Sequence, residues 1–169
     1  DKNNLKIVEA LGSEVEKTAF TFSGQGIILS KDNTVGILIR SYLKNDINKI
    51  ELINNGIIDG SLEMFKKNTV SIGRELAISM NLIAGDSITI MSTSNLQTPF
   101  GNLPLQEKFL ISSVFSSGLA EFDQNVMFMP FENATSLFEV SEMDIDLEIF
   151  LKNPGEVKKI KEKIENIFI

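Results

Sequence analysis

Asp144, Asp146 and Glu148 alternate along the chain, so on a strand their carboxylates share one face, and a row of hard oxygen donors is the chemistry of a divalent cation site. No loop glycine or further carboxylate completes a coordination shell, and a solvated outer strand face accounts for them. Gly24-Gln25-Gly26 has the opening of a phosphate-cradling loop, but no third glycine follows at the right spacing and no helix opens there, so a strand bulge is expected instead. Ile72-Gly73-Arg74-Glu75 sets a glycine at a strand-to-helix junction, where backbone N–H groups can meet an anion. The reading preferred here is a tight turn with an exposed Arg74-Glu75 pair. The chain has no His and no Cys, which removes imidazole and thiolate chemistry, and no Lys or carboxylate stands out to activate one of its many Ser and Thr hydroxyls. The expectation is a non-catalytic protein with no catalytic residue, no metal site and no cofactor.

The stretch with functional character is of another kind. From Met91 to Phe109 the sequence MSTSNLQTPFGNLPLQEKF sets a polar, proline-punctuated segment with apolar residues between two strand-like runs, Ser87–Met91 and Phe109–Phe115. The thirteen residues from Ser92 to Pro104 are long for a hairpin connection and are read as a binding loop. Pro99 and Pro104 each fix their own φ and push Thr98 and Leu103 towards extended geometry, while Gly101 supplies the freedom a reversal needs. A stiff arm results, with Phe100 at its tip and Phe100 and Leu103 as apolar anchors.

Composition bounds the partners. At 169 residues and 43% hydrophobic the chain can build one globular unit with two lobes. Sixteen basic against 23 acidic residues give a formal charge of −7 with no concentrated basic run, the wrong field for phosphates, so nucleic acid is excluded as a partner. No apolar run reaches about eighteen residues, and Asp1-Lys2-Asn3-Asn4 does not open a signal peptide. The absent initiator Met and the apolar Phe168-Ile169 suggest a piece of a longer protein, with membrane segments able to flank it.

The elements that must position the arm follow from periodicity and punctuation. Leu5, Val8 and Leu11 predict a short helix ended by Gly12. A strand is expected over 18–29 with a bulge at the glycines, then a turn at Lys31-Asp32-Asn33 and a second strand over 35–42. One short helix is expected over 43–53, then turns through Asp59-Gly60. Val70–Gly73 reads as a strand handing over to a helix from Arg74 to Met80, and Gly118 and Asp123 as breaks before a strand at 125–129 that Pro130 stops. A helix over 131–138, a strand over 144–151 and a final helix opened by Pro154 complete the chain. In that helix Val157, Ile160, Ile164 and Ile167 line one side, and its lysines, interleaved with Glu156, Glu162 and Glu165, are read as a solvated face.

Several phrases, in their order and spacing, carry a resemblance: GSLEMF from Gly60, IGRELAISMNLIAGDSITIMS from Ile72 to Ser92, TPFGNLP from Thr98 to Pro104, FLISSVFSSGLAEFD from Phe109 to Asp123, and VMFMPFENATSLF from Val126 to Phe138. Over about Gly56 to Leu151 the chain resembles the periplasmic domain of lipoprotein-releasing ABC transporter permeases, the LolC/LolE family, whose wider relatives include MacB-like periplasmic core domains. The resemblance implies an α+β fold, a MacB-like periplasmic core domain with a mixed α/β lobe, a β-rich lobe and a protruding β-hairpin hook at 92–104. It implies that residues 1–169 form one domain inserted between the first and second transmembrane helices of an inner-membrane permease, on its periplasmic face. A second permease subunit and a separate cytoplasmic ATPase subunit would complete the transporter, which would pass lipoprotein cargo to a periplasmic carrier, LolA. Carried over to this chain, the carrier-binding residues are Thr98, Pro99, Phe100, Gly101, Asn102, Leu103, Pro104 and Gln106. In the family a basic residue follows that Gln; here Glu107 stands in its place and Lys108 comes next. The alternative is the core domain of a MacB-like efflux or FtsX-like signalling permease, which contacts a channel or regulator.

Overall fold

The computed structural model describes residues 2–30, 33–98 and 101–166, with the side chains at 2–5, 52, 94–98 and 102 outside the description. Its elements in chain order begin with helix α1 (Lys2–Leu11), strands β1 (Val15–Leu29) and β2 (Thr34–Tyr42), and the single-turn helices α2 (Lys44–Ile47) and α3 (Glu51–Asn54). Next come β3 (Ile57–Gly60), β4 (Thr69–Gly73), α4 (Arg74–Met80), β5 (Ser87–Thr98) and β6 (Gly101–Phe115). The chain continues through α5 (Ala120–Asn125), β7 (Val126–Pro130), α6 (Phe131–Phe138), β8 (Asp146–Leu151) and α7 (Val157–Glu165). Two compact units result: residues 1–20 with 147–169, and residues 21–146.

The larger unit is built on a ring of six strands. Neighbours run β2-β7-β4-β6-β5-β1, and β1 pairs back onto β2, so no edge remains along the body of the sheet. Two of these pairings, β2 with β7 and β4 with β6, are parallel; the others are antiparallel. Alternation places Phe22, Ile28, Ile37, Ile39, Ile72, Ile88, Ile90, Phe109 and Met127 inside, where Leu137 and Phe138 of α6 and Leu76 and Met80 of α4 join them. A second cluster gathers Tyr42, Phe115, Phe122 and Phe128, whose ring centroids lie 5.2 to 6.3 Å apart, the tilted and edge-on spacing aromatic rings prefer.

The smaller unit combines α1, the first part of β1, β8 and α7. Here β8 pairs with β1, the Lys152 N–H donates to the Glu14 carbonyl at 3.1 Å, and the Lys17 ammonium stands 5.3 Å from the centre of the Phe150 ring. The Glu14 carboxylate takes a hydrogen bond from Lys163 at 2.9 Å and lies 3.9 Å from Lys159, tying the turn after α1 to the lysine face of α7.

Several expectations need correction. There is no bulge at Gly24 and Gly26, since β1 and β2 pair without a register break from Thr21↔Tyr42 to Leu29↔Thr34. The space beside both glycines is crowded: a Cβ on Gly24 would lie 2.9 Å from the Phe22 ring, and one on Gly26 would lie 2.7 Å from Ile39 Cδ1, so either side chain would have to shift. The helix expected over 43–53 is two single turns, because Ile50 between them adopts φ −84°, ψ 92°; Ile47, Ile50 and Ile53 are buried all the same. The turns expected near Asp59 contain β3, which pairs with the end of β6 across a register shift, and Asp123 lies inside α5. Asp144 is not on β8. It closes a 3-10 turn, and its carboxylate accepts from the Ser141 N–H at 2.8 Å and the Ser141 hydroxyl at 2.6 Å, which holds its pKa below the ordinary 3.8. Among the described residues no group of three carboxylates is placed to hold a metal.

Candidate functional site

The arm expected as a thirteen-residue loop is a two-stranded ribbon. β5 and β6 extend towards each other until Thr98 pairs with Gly101, with Gln97↔Asn102, Leu96↔Leu103 and Asn95↔Pro104 behind them. The notion of an irregular loop is therefore corrected: alternating Ser, Thr, Asn, Gln and Leu with two prolines reads as loop chemistry, yet in-register pairing satisfies the main chain at every second position. Gly101 has φ +114°, a conformation open to glycine at the end of a reversal. Pro99 and Phe100, expected at the tip of the arm, lie outside the described residues.

A break in register sets where the ribbon leaves the body. Pairing shifts between Met91↔Gln106 and Asn95↔Pro104, so three residues of β5, Ser92 to Ser94, stand against Leu105 alone. Ser92 is also the last β5 residue paired with β1, opposite Gly26, and the Thr93 hydroxyl bonds to the Gln25 carbonyl at 3.0 Å. β4 joins β6 only from Leu110 onward. Among the described residues, Asn95–Thr98 and Asn102–Pro104 thus have each other as strand partners and no third strand.

Alternation along β6 sorts the side chains. Leu105 packs against the core, Glu107 is half-buried and Phe109 is buried, so this face looks inward. Leu103 is next along the same face, beyond the core, and is 56% exposed. Pro104, Gln106 and Lys108 are exposed on the opposite face. The Glu107 carboxylate accepts a hydrogen bond from the Ser136 hydroxyl of α6 at 3.0 Å, a contact the sequence did not signal. Glu107 therefore does not stand beside Gln106 on the outer face; Lys108 does. Of the expected site residues, Thr98, Gly101, Asn102, Leu103, Pro104 and Gln106 are brought onto this ribbon and its base.

Elsewhere, Gly73 ends β4 and starts α4, but no anion site is built there. A Cβ on Gly73 would fall 2.1 Å from the Asp123 carbonyl oxygen, so the glycine serves close backbone approach, and Arg74 lies 4.0 Å from Glu75. An open cleft of about 780 Å³ is lined by Met80, Asn81, Asp86, Ile88, Thr89 and Lys108 among others, and the Asp86 carboxylate in it is engaged by the Ile83 N–H at 2.9 Å. No helix among the described residues is long and apolar enough to cross a membrane.

No family model matches the chain. It is 26% identical over 109 residues to the lipoprotein-releasing system transmembrane protein LolC of Xylella fastidiosa strain 9a5c, and 24% identical over 105 residues to LolC of strain Temecula1. Those alignments cover 63% and 61% of this chain, which spans only about a quarter of the curated relatives' length, 26% and 25%. Among solved structures, the extracellular domain of the ABC-type transporter YknZ from Gram-positive bacteria superposes with a TM-score of 0.59 at 11% identity, covering 96% of this chain and 80% of that one. The periplasmic region of MacB from Actinobacillus actinomycetemcomitans gives 0.56 at 11% identity, covering 96% and 73%. The chain has the mixed α/β fold of these MacB-like extracytoplasmic domains and is similar in sequence to LolC, the lipoprotein-releasing transmembrane protein.

Proposed function

We propose that this chain is the periplasmic domain of an inner-membrane ABC transporter permease that releases lipoproteins and hands them to a LolA-like carrier, with the ribbon at 92–104 as its docking hook. The observation that carries this reading is the ribbon itself: among the described residues its outer part pairs with no strand of the body, and Leu103 keeps most of its surface in water. Exposed apolar residues on a preformed element lose little entropy on docking, and burying one such side chain contributes about 2 kcal/mol, roughly thirtyfold in affinity. In this reading the chain performs no catalysis; a separate cytoplasmic ATPase subunit drives the cycle, a second permease subunit completes the transporter, and lipoprotein is the cargo. Capture of the chain by an immobilised LolA-like carrier tests it. Leu103→Asp and Phe100→Ala are expected to weaken retention at least about tenfold while the thermal transition stays in place. Equal retention of wild type and both variants removes the hook from the mechanism.

The second reading is an efflux or signalling permease of MacB or FtsX type. It is favoured by the likeness to YknZ and MacB, which extends over 96% of the chain, whereas the LolC alignments cover 63% or less. A chain that ignores the carrier but is retained by an efflux adaptor or a cell-wall regulator decides for it.

A further inference from the structure

The pairing of β5 with β6 has a phase that fixes which main-chain groups face outward. Thr98 pairs with Gly101 across only two intervening residues, and the residues flanking so short a connection exchange both main-chain hydrogen bonds. Bonded and non-bonded pairs alternate from there. Leu96↔Leu103 is again a bonded pair, while at Gln97↔Asn102 and Asn95↔Pro104 the main-chain groups turn away from the ribbon on both sides.

The two edges then differ. On the β6 edge one of the two outward donors is missing, because Pro104 has no N–H; the proline costs the ladder nothing and blunts that side. On the β5 edge Asn95 and Gln97 both present N–H and C=O outward. β1 has left β5 at Ser92, and no described strand runs along Asn95–Thr98. Open edges in native sheets are guarded by charge, proline or a covering element. Ser94-Asn95-Leu96-Gln97-Thr98 has neither charge nor proline, whereas Pro104, Glu107 and Lys108 mark the facing strand.

We propose that the Asn95–Thr98 edge receives an extended strand from the arm's protein partner, so that the hook recognises it by strand addition through the main chain. This rests on the reading of the arm as the docking element for the carrier. The occupant is an edge strand of that partner and not a second copy of this chain: each copy carries a formal charge of −7, so pairing two arms brings like-charged bodies together, and a partner with basic residues beside its edge strand is favoured. Main-chain pairing also gives the uncharged side chains of this edge a subordinate part, so their truncation matters less than loss of an amide proton.

Amide hydrogen exchange on the whole 169-residue chain, with and without saturating LolA-like carrier, tests this. In the free chain the outward amides of Asn95 and Gln97 exchange fast and the inward amides of Leu96 and Thr98 slowly; with carrier, those of Asn95 and Gln97 are expected to slow about tenfold or more. Gln97→Pro, which removes an outward donor and leaves the inward hydrogen bonds of Leu96 and Thr98 as a check, by their slow exchange, that the ribbon persists despite the fixed φ, is expected to weaken binding about tenfold, and Gln97→Ala by less than about twofold. Bound carrier with fast exchange at Asn95 and Gln97 overturns strand addition and leaves the hook standing. Failure of the carrier to bind at all overturns the docking reading and this inference with it. Protection that rises with the concentration of the chain alone assigns the edge to a second copy and overturns the partner strand.

Discussion

Glu107 accepts a hydrogen bond from the Ser136 hydroxyl at 3.0 Å, which turns its carboxylate towards α6 and away from the face that carries Gln106 and Lys108. The departure from the basic residue that the resemblance implies at this place is thereby confined to the inner side of the ribbon base. Glu107→Gln keeps an acceptor for Ser136 and is expected to change carrier retention by less than about twofold, while Gln106→Ala lowers it several-fold. Titrating both variants against immobilised carrier checks this; a loss for Glu107→Gln as large as that for Gln106→Ala contradicts the assignment of faces.

Two glycines are expected to respond differently to the same substitution. At Gly73 a new Cβ meets the backbone of Asp123, with its carbonyl oxygen at 2.1 Å and its Cα at 2.5 Å, and backbone inside α5 cannot retreat cheaply. At Gly26 the nearest atom is the far end of the Ile39 side chain, which has other rotamers. Gly73→Ala should cost about 3 kcal/mol and Gly26→Ala about 1 kcal/mol in urea unfolding.

Asn133, buried in α6, accepts the Asn68 N–H at 2.9 Å and donates its amide to Asn68 Oδ1 at 2.8 Å, holding a residue with φ +62° in front of β4. Asn133→Ala leaves the Asn68 N–H without this partner and is expected to lower stability by about 2 kcal/mol. Denaturant unfolding with an unchanged slope would show the loss as one of stability alone.

In the smaller unit the hydrogen bond from Lys163 outweighs the opposing desolvation and, with the charges of Lys163 and Lys159 added, holds the Glu14 carboxyl below its ordinary 4.5. A carboxylate with a depressed folded pKa adds stability that is complete above the unfolded value and disappears as pH falls through the folded one. Protection of the α1 and α7 amides should therefore weaken as pH drops below about 4.5, Glu14→Gln should flatten that dependence, and added salt should shrink it because the pair is exposed.

What could be read from the sequence was what local chemistry dictates. The α4 and α6 helices and the cores of β2, β4, β5, β6 and β7 follow from periodicity; Pro130, expected to stop its strand, is the last residue of β7, and Pro154 opens the 3-10 turn that leads into α7. What escaped depended on partners far along the chain. β3 is four residues of turn-like composition made a strand only by β6, and α5 is six residues without a side-chain cap. Gly24 and Gly26 read as a bulge in the sequence, which does not show that Phe22 and Ile39 fill the space beside them. For the ribbon, residue types alone read as a loop between two strands, because Ser, Thr, Asn and Gln with two prolines show no period of two, whereas the resemblance implied a hairpin, and Asn95–Thr98 do pair with Gly101–Pro104.

The larger unit is one unbroken stretch, 21–146, whereas the smaller is assembled from 1–20 and 147–169. During synthesis residues 21–146 emerge as one run, while residues 1–20 must wait for 147–169, so the smaller unit closes only after the segment between its two parts has been made.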